Sequence, residues 1–204
     1  MPHTVATCFL SALDADWSGL ITQIGSCTLA PHLDAPYHAL LKAVAYQQLH
    51  GRAADTIWAR FMTYYQNDLP IPEALLATED SVLRSCGFST RKVATLKAIA
   101  QGVISNIVPS LQDAQSMSDE ALMKRLTEVS GVGPWTVQML LIFNLGRPDV
   151  LPVGDLGIAR GYQRFKKLEQ MPSPQTLDQV GIAWQPYRSV ASWYLWRVPK
   201  LIAC

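Results

Sequence analysis

The chain has 204 residues, 49% of them hydrophobic, with 17 Lys and Arg against 16 Asp and Glu for a formal charge of +1. That length suits one domain built from two closely packed lobes, and the near-neutral charge excludes a strongly basic nucleic-acid binder, so any anion-binding surface must be a local patch. The cysteines Cys8, Cys27, Cys86 and Cys204 are scattered, with no CxxC pair and no His at metal-ligand spacing, which reads as free thiols in a reducing compartment. No basic stretch followed by a sustained apolar run opens the chain, and no apolar run reaches the ~18 residues of a membrane span. A soluble, intracellular protein without membrane association is expected.

From about Pro36, "YHALLKAVAYQQLHGRAADTIWARFMTYY" carries apolar residues at helical spacing: Leu40, Leu41, Val44 and Ala45, then Ile57, Trp58, Phe61 and Met62. Gly51 divides it into two helices around a short turn that exposes Gln47 to His50. "LPIPEALLATED" is a Pro-punctuated loop entering a short helix, with Pro72 suited to a first helical position. "GFSTRKVATLKAIAQGV" gives Ser89 as an N-cap and an amphipathic helix bearing Arg91, Lys92 and Lys97.

Ser118 caps "DEALMKRLTEVS", and "PWTVQMLLIFNLG" is a strongly apolar helix that stops near Gly146. "GDLGIARGYQRF", "SPQTLDQVGIAW" and "PYRSVASWYLWRV" are each of helical length. No alternating strand pattern of convincing length appears, so the fold class is all-α with short connections.

In "LTEVSGVGPWTVQ", Gly131 and Gly133 remove side chains where the backbone must approach something closely or take positive φ. Pro134 then opens the next helix, where its missing N–H costs nothing. Such a turn points backbone amides and a helix N-terminus outward, an arrangement that binds anions such as a phosphate and equally serves as a tight helix connection.

The helix, the Gly-Val-Gly turn, the second helix and Asp155 some twenty residues later resemble the helix-hairpin-helix DNA glycosylase superfamily, with the hairpin at about residues 121–145. "AVAYQQLHGRAADTIWARF" resembles the family's first core helix and its strand-penetrating loop. "LPIPEALLATEDSVLRSCGFSTRKVATLKAIA" resembles its middle segment, and "WQPYRSVASWYLW" the closing helix of its type II 3-methyladenine glycosylase branch. The resemblance runs in order from about Asp16 to Pro199. It implies two helical lobes, interleaved in sequence, with an active-site cleft between them, in a single catalytic domain of residues 1–204 without the N-terminal β domain of some relatives.

What the resemblance implies for function is residue-specific. Asp155 stands at the family's catalytic aspartate, although an Asp before a helical run is by itself most often an N-cap. Cleaving an N-glycosidic bond develops positive charge on the sugar, which a carboxylate in a water-poor site stabilises. A base alkylated on a ring nitrogen is already cationic and leaves without a second carboxyl group to protonate it. Trp135 occupies the position where the bifunctional branch carries a lysine that attacks C1′, so hydrolysis without strand cleavage is implied. The iron–sulfur branch needs four grouped thiolates near its C-terminus, and only Cys204 lies beyond Cys86.

Trp135, Met139, Leu156 and Trp196 are the implied base pocket, Trp196 matching a base-stacking tryptophan through "PYRS"; an indole face suits a cationic base. Trp193 fits either the pocket or the core, while Trp17, Trp58 and Trp184 read as core. Base flipping leaves a gap in the duplex, which the resemblance assigns to Gln48, a polar residue where many relatives have an apolar one, with His50 beside it.

Gly131, Val132, Gly133, Thr136 and Arg160 are the remaining implied DNA contacts, and Arg91, Lys92, Arg164, Lys166 and Lys167 read as further phosphate partners. No cofactor is required; a structural ion under the hairpin, on the carbonyls of Thr127, Val129 and Val132, is implied by the family. The expected activity is excision of 3-methyladenine, and of 7-methylguanine as a further candidate, from double-stranded DNA by a monomer in the cytoplasm, nucleoid or nucleus. A glycosylase for a deaminated or mismatched base and a non-catalytic DNA-binding module are the alternatives.

Overall fold

Side-chain caps and N-terminal prolines set most helix starts. The structure, a computed structural model, describes residues 3–47 and 51–198. In chain order the helices are α1 (Thr4–Ser11), α2 (Ala15–Ile24), α3 (Pro36–Tyr46), α4 (Gly51–Tyr64), α5 (Pro72–Ala77), α6 (Asp80–Ser85), α7 (Thr90–Ile104), α8 (Leu111–Ser116), α9 (Asp119–Leu126), α10 (Pro134–Met139), α11 (Leu156–Phe165), α12 (Pro174–Gly181) and α13 (Arg188–Leu195). Among the described residues there is no strand, as the sequence periodicity predicts.

The Ser89, Ser118 and Ser173 side chains accept from the N–H groups of Lys92, Ala121 and Thr176, satisfying amides that a helix start otherwise leaves orphaned. Pro72 and Pro134 sit in first helical turns. The apolar run after Pro134 departs from a uniform helix: α10 passes into a π-helical turn over Leu140–Asn144 before Gly146 ends it with φ +67.

The chain divides into two units, one of Met1–Pro31 with Gly146–Cys204 and the other of His32–Leu145. In the second, Leu40, Leu41 and Val44 of α3 and Leu96 and Ile99 of α7 are fully buried, joined by Leu75, Leu122 and Val137. Trp58, expected in the core, is only half-buried and stacks on Phe61 at 5.3 Å. In the first unit, Trp17 packs against Phe165 and Trp184 at 4.7 and 5.5 Å, and the fully buried Tyr194 donates its hydroxyl to the Gly25 carbonyl at 2.9 Å. The two N-terminal helices, for which the sequence offered no motif, therefore supply part of that core. Cys8, Cys27 and Cys86 are free thiols, and no helix among the described residues is long and apolar enough to cross a membrane.

Lys166 is not a free cation for DNA. Its Nζ lies 2.8 Å from Asp14 Oδ2 and 2.6 Å from Asp16 Oδ2. Burial alone would push the Asp14 carboxyl up and the Lys166 ammonium down. Their mutual hydrogen bond and charge attraction, added to the Trp17 N–H on Asp14 and to Asp16 on the lysine, together outweigh it, so Asp14 lies below the usual carboxylate range and Lys166 above the usual lysine range. The Asp14 contribution is present above about pH 4 and lost as pH falls through its lowered pKa; that of Lys166 is present below about pH 10 and lost as pH rises through its raised one. Because both acids are substantially exposed, Lys166→Ala should cost only ~0.5 to 1 kcal/mol at neutral pH. Thermal unfolding of the two proteins over a pH series should show that difference fading as pH falls below the usual carboxylate range.

Candidate active site

Asp155 is the N-cap of α11, and its Oδ1 accepts from the Ile158 N–H at 2.8 Å and from the Trp196 indole Nε1–H at 2.9 Å. The preceding turn is closed by Asp155 N–H to the Pro152 carbonyl at 2.9 Å. Capping and the role implied for the carboxylate are thus compatible: one oxygen anchors the side chain from two directions. Leu156, the first residue of α11, is half exposed beside it.

Two glycines on α11 make room for this contact. A Cβ on Gly157 would lie 2.9 Å from both Asp155 Oδ1 and Trp196 Cδ1, and a Cβ on Gly161, one turn on, would collide with the Leu195 carbonyl. The end of α13 therefore comes close enough for Trp196 to reach the aspartate. The start of α13 grips the segment leading to Asp155 from the other side. Arg188 meets Asp149 with Nε to Oδ1 at 2.8 Å and Nη2 to Oδ2 at 3.0 Å, a two-pronged pair, while Ser189 Oγ accepts from the Val150 N–H at 3.0 Å and donates to the Arg147 carbonyl at 2.6 Å. "PYRS" thus encodes the clamp that holds the aspartate's loop. Trp193, left open by the sequence, is core: it is buried, with the Arg197 guanidinium over its ring at 3.8 Å. The burial that this stacking entails holds Arg197 below the usual arginine range.

In the unit formed by His32–Leu145, the structure brings Trp135 and Met139 together in a pocket of about 290 Å³. Its wall from α3 is Ala39, Lys42, Ala43 and Tyr46, and its wall from α10 and the π-helical turn is Trp135, Met139, Leu140, Phe143 and Asn144. His32 and Asp34 complete it; the His32 N–H donates to the Phe143 carbonyl at 3.0 Å, and Asn144 holds Asp34, its Oδ1 accepting from the Asp34 N–H at 2.9 Å and its Nδ2 donating to the Asp34 carbonyl at 2.7 Å. Tyr46 donates its hydroxyl to Asp55 Oδ1 at 2.6 Å, and that bond, with burial and the Asp55 charge, pushes the phenol up to about 12. These polar residues were not legible in the sequence. The pairing of Asp34 with Asn144 spans 110 residues, and only an unexplained buried Asn in an apolar run could have pointed to it.

The hairpin joins α9 to α10. Gly131 has φ +84, and a Cβ there would collide with the Thr95 hydroxyl, so both conformation and space require glycine. Gly133 has an ordinary φ of −99 and nothing within 4 Å of where a Cβ would stand; its small size leaves the outward backbone open. Among the described residues the N–H groups of Gly131 and Gly133 donate to no acceptor within the chain. Val132 buries its side chain, leaving its backbone as the group available to a partner. The Val129 carbonyl accepts the Val132 N–H at 3.0 Å, whereas the Thr127 and Val132 carbonyls receive no backbone hydrogen bond among the described residues. Oxygen donors of this kind fit a hard cation.

Three expectations need correction or fall outside the described residues. Thr136 is 1% exposed, its backbone N–H bonds to the Gly133 carbonyl and its Oγ1 accepts from Gln47 Nε2 at 2.8 Å, so its side chain is packed inward and not available to DNA. Lys92, read as a phosphate partner, donates instead to two backbone carbonyls of its own unit. Gln48 and His50 lie outside the described residues. Arg91, Arg160 and Lys167 are exposed, and Arg164 is half-buried.

The aspartate at a helix start and the glycine hairpin followed by a proline-led helix are each built as the sequence motifs require. The chain belongs to the HhH-GPD superfamily of base excision DNA repair proteins, whose pattern matches residues 41–185. It is 40% identical over 201 residues to DNA-3-methyladenine glycosylase 1 of Schizosaccharomyces pombe, covering 97% of this chain and 88% of that protein. Its structure is similar to that of the S. pombe 3-methyladenine DNA glycosylase in complex with abasic DNA (TM-score 0.91, 39% identity, 95% and 96% of the two chains). It is also similar to a DNA-3-methyladenine glycosidase from Bacillus halodurans (TM-score 0.79, 31% identity, 94% and 88%).

Proposed function

We propose that this chain is a monofunctional DNA glycosylase that flips alkylated purines out of duplex DNA and hydrolyses their N-glycosidic bond, leaving an abasic site for base excision repair. The observation that carries the reading is Asp155, whose carboxylate is fixed by the Ile158 and Trp196 N–H donors and therefore needs no reorganisation when charge develops. The names of the S. pombe and B. halodurans relatives, a 3-methyladenine glycosylase and a 3-methyladenine glycosidase, support the same substrate class.

The chemistry follows from the charge of the substrate. An N3- or N7-alkylated purine is a cation, and as its bond to C1′ lengthens the positive charge passes to the sugar. The electrons of the breaking C1′–N bond neutralise the departing base, so no second acid is required, while Asp155 stabilises the charge on the sugar, orients the water that bonds to C1′ and accepts the proton that water loses. Trp135 contributes an indole face and Met139 a polarizable thioether to the pocket that receives the base, which suits a flat cation. Trp135 has no amine to form a Schiff base, so the strand stays intact. The amides of Gly131 and Gly133 hold a phosphate, and Arg160, exposed on α11, is a separate candidate for a DNA phosphate. A cation on the Thr127, Val129 and Val132 carbonyls would add positive charge beneath that phosphate.

The test is incubation with uniformly methylated duplex DNA followed by chromatography of the released bases. Free 3-methyladenine should appear with time, 7-methylguanine release defines the breadth of the pocket, and the DNA should break only after alkali. A deaminated base released in preference to methylated ones would shift the reading to another lesion. No released base under any condition would leave a DNA-binding module.

A further inference from the structure

Lys92 reads in the sequence as one of several surface cations, yet its Nζ donates to the Ala45 carbonyl at 2.9 Å and to the Gln47 carbonyl at 2.9 Å. Both acceptors lie at the C-terminal end of α3, where helix carbonyls lack intrahelical partners and carry partial negative charge. Burial pushes this lysine below its usual range, so the position costs solvation that a solvated surface lysine would keep.

Gln47 continues the chain of contacts. Its Nε2 donates to the buried Thr136 Oγ1 at 2.8 Å, in the first turn of α10. On the next turn of α7 from Lys92, the Thr95 hydroxyl fills the space that a Cβ on Gly131 would need. One helix, α7, therefore braces the end of α3 through Lys92 and the hairpin through Thr95, and Gln47 to Thr136 closes the triangle.

The two helices so joined are the two walls of the pocket. Tyr46 and Ala43 on α3 face the pocket that Trp135 and Met139 line from α10, and the Gln47–Thr136 bond links residues adjacent to Tyr46 and Trp135. We propose that Lys92 is a positioning residue that, through Gln47 and Thr136, sets the spacing between the α3 and α10 walls of the pocket and so the fit of the extruded base. The proposal rests on the glycosylase reading for its kinetic consequence, but its structural part does not.

Lys92→Met keeps most of the unbranched stem of the side chain and removes the ammonium. Single-turnover release of 3-methyladenine should fall about ten- to a hundredfold, as misplacement of a pocket wall by a fraction of an ångström to an ångström would cause. Affinity for undamaged duplex, and its slope against salt concentration, should be unchanged. Thr136→Val breaks the same strut from the other end without freeing the α3 carbonyls, and should reproduce the effect if Lys92→Met fails to fold. Tryptophan emission should differ between wild type and Lys92→Met, and the difference should vanish in a Trp135→Phe background.

Unchanged excision in both variants would overturn the proposal. So would a salt slope reduced by about one released ion in Lys92→Met, which would make the lysine a phosphate contact. If the wild type releases no base, the functional reading fails, while the emission comparison still decides the strut: an identical spectrum sinks it.

Discussion

Asp155→Asn should reduce base release from methylated duplex DNA by about a thousandfold or more, with the fold intact and affinity for abasic-site DNA retained. The contrast between lost chemistry and kept structure follows from the hydrogen bonds. Asparagine caps a helix about as well as aspartate, and its carbonyl oxygen can accept both the Ile158 N–H and the Trp196 indole N–H that Oδ1 now accepts. What disappears is the negative charge, together with the second acceptor oxygen that an amide NH2 replaces. Thermal unfolding and binding to an abasic-site duplex provide the controls for a single-turnover excision assay. Excision within tenfold of wild type would remove Asp155 from the mechanism.

The hairpin glycines should separate in the opposite sense. Gly131→Ala places a methyl group against the Thr95 hydroxyl on a backbone with φ +84, so it should cost ~2 to 4 kcal/mol of folding stability. Gly133→Ala meets no atom within 4 Å and has an ordinary φ, so its stability should be nearly that of wild type. Its methyl group instead stands where a phosphate must approach the backbone, and DNA affinity should weaken about tenfold, ~1.4 kcal/mol. Denaturant unfolding and a DNA-binding isotherm on each variant check the two halves. A Gly133→Ala protein that binds DNA as wild type does would show that the phosphate is held elsewhere.

Local chemistry decided what the sequence could reveal. Capping serines, Pro134 and the Gly-Val-Gly turn act within a few residues of themselves, so the helix starts and the hairpin could be read before any tertiary contact was known. Asp155 was legible as a helix cap for the same reason, while the role implied for it came only from the family resemblance. Trp196 was only half legible: its ring suggested stacking, but its N–H bond to Asp155 depends on the narrow approach of α13 to α11, which Gly157 and Gly161 permit. Lys92 and Lys166 misled because a lysine in an amphipathic helix gives no sign of which acceptors the fold will bring to it. The polar side of the pocket, His32, Asp34 and Asn144, depends on chain segments far apart in sequence and left no mark on composition.

The π-helical turn bears on the geometry of recognition. An α-helix advances roughly 100° per residue, so Met139, four residues after Trp135, is rotated about 40° from it, and Phe143 would be rotated as far again. A π turn, with its longer i to i+5 closure, advances only about 80° per residue, which carries Phe143 back by roughly 30 to 40°. Leu140–Asn144 adopt that wider turn, so Trp135, Met139 and Phe143 end nearly in phase along one line. An indole, a thioether and a phenyl group, from Trp135, Met139 and Phe143, thus line the same wall of the pocket.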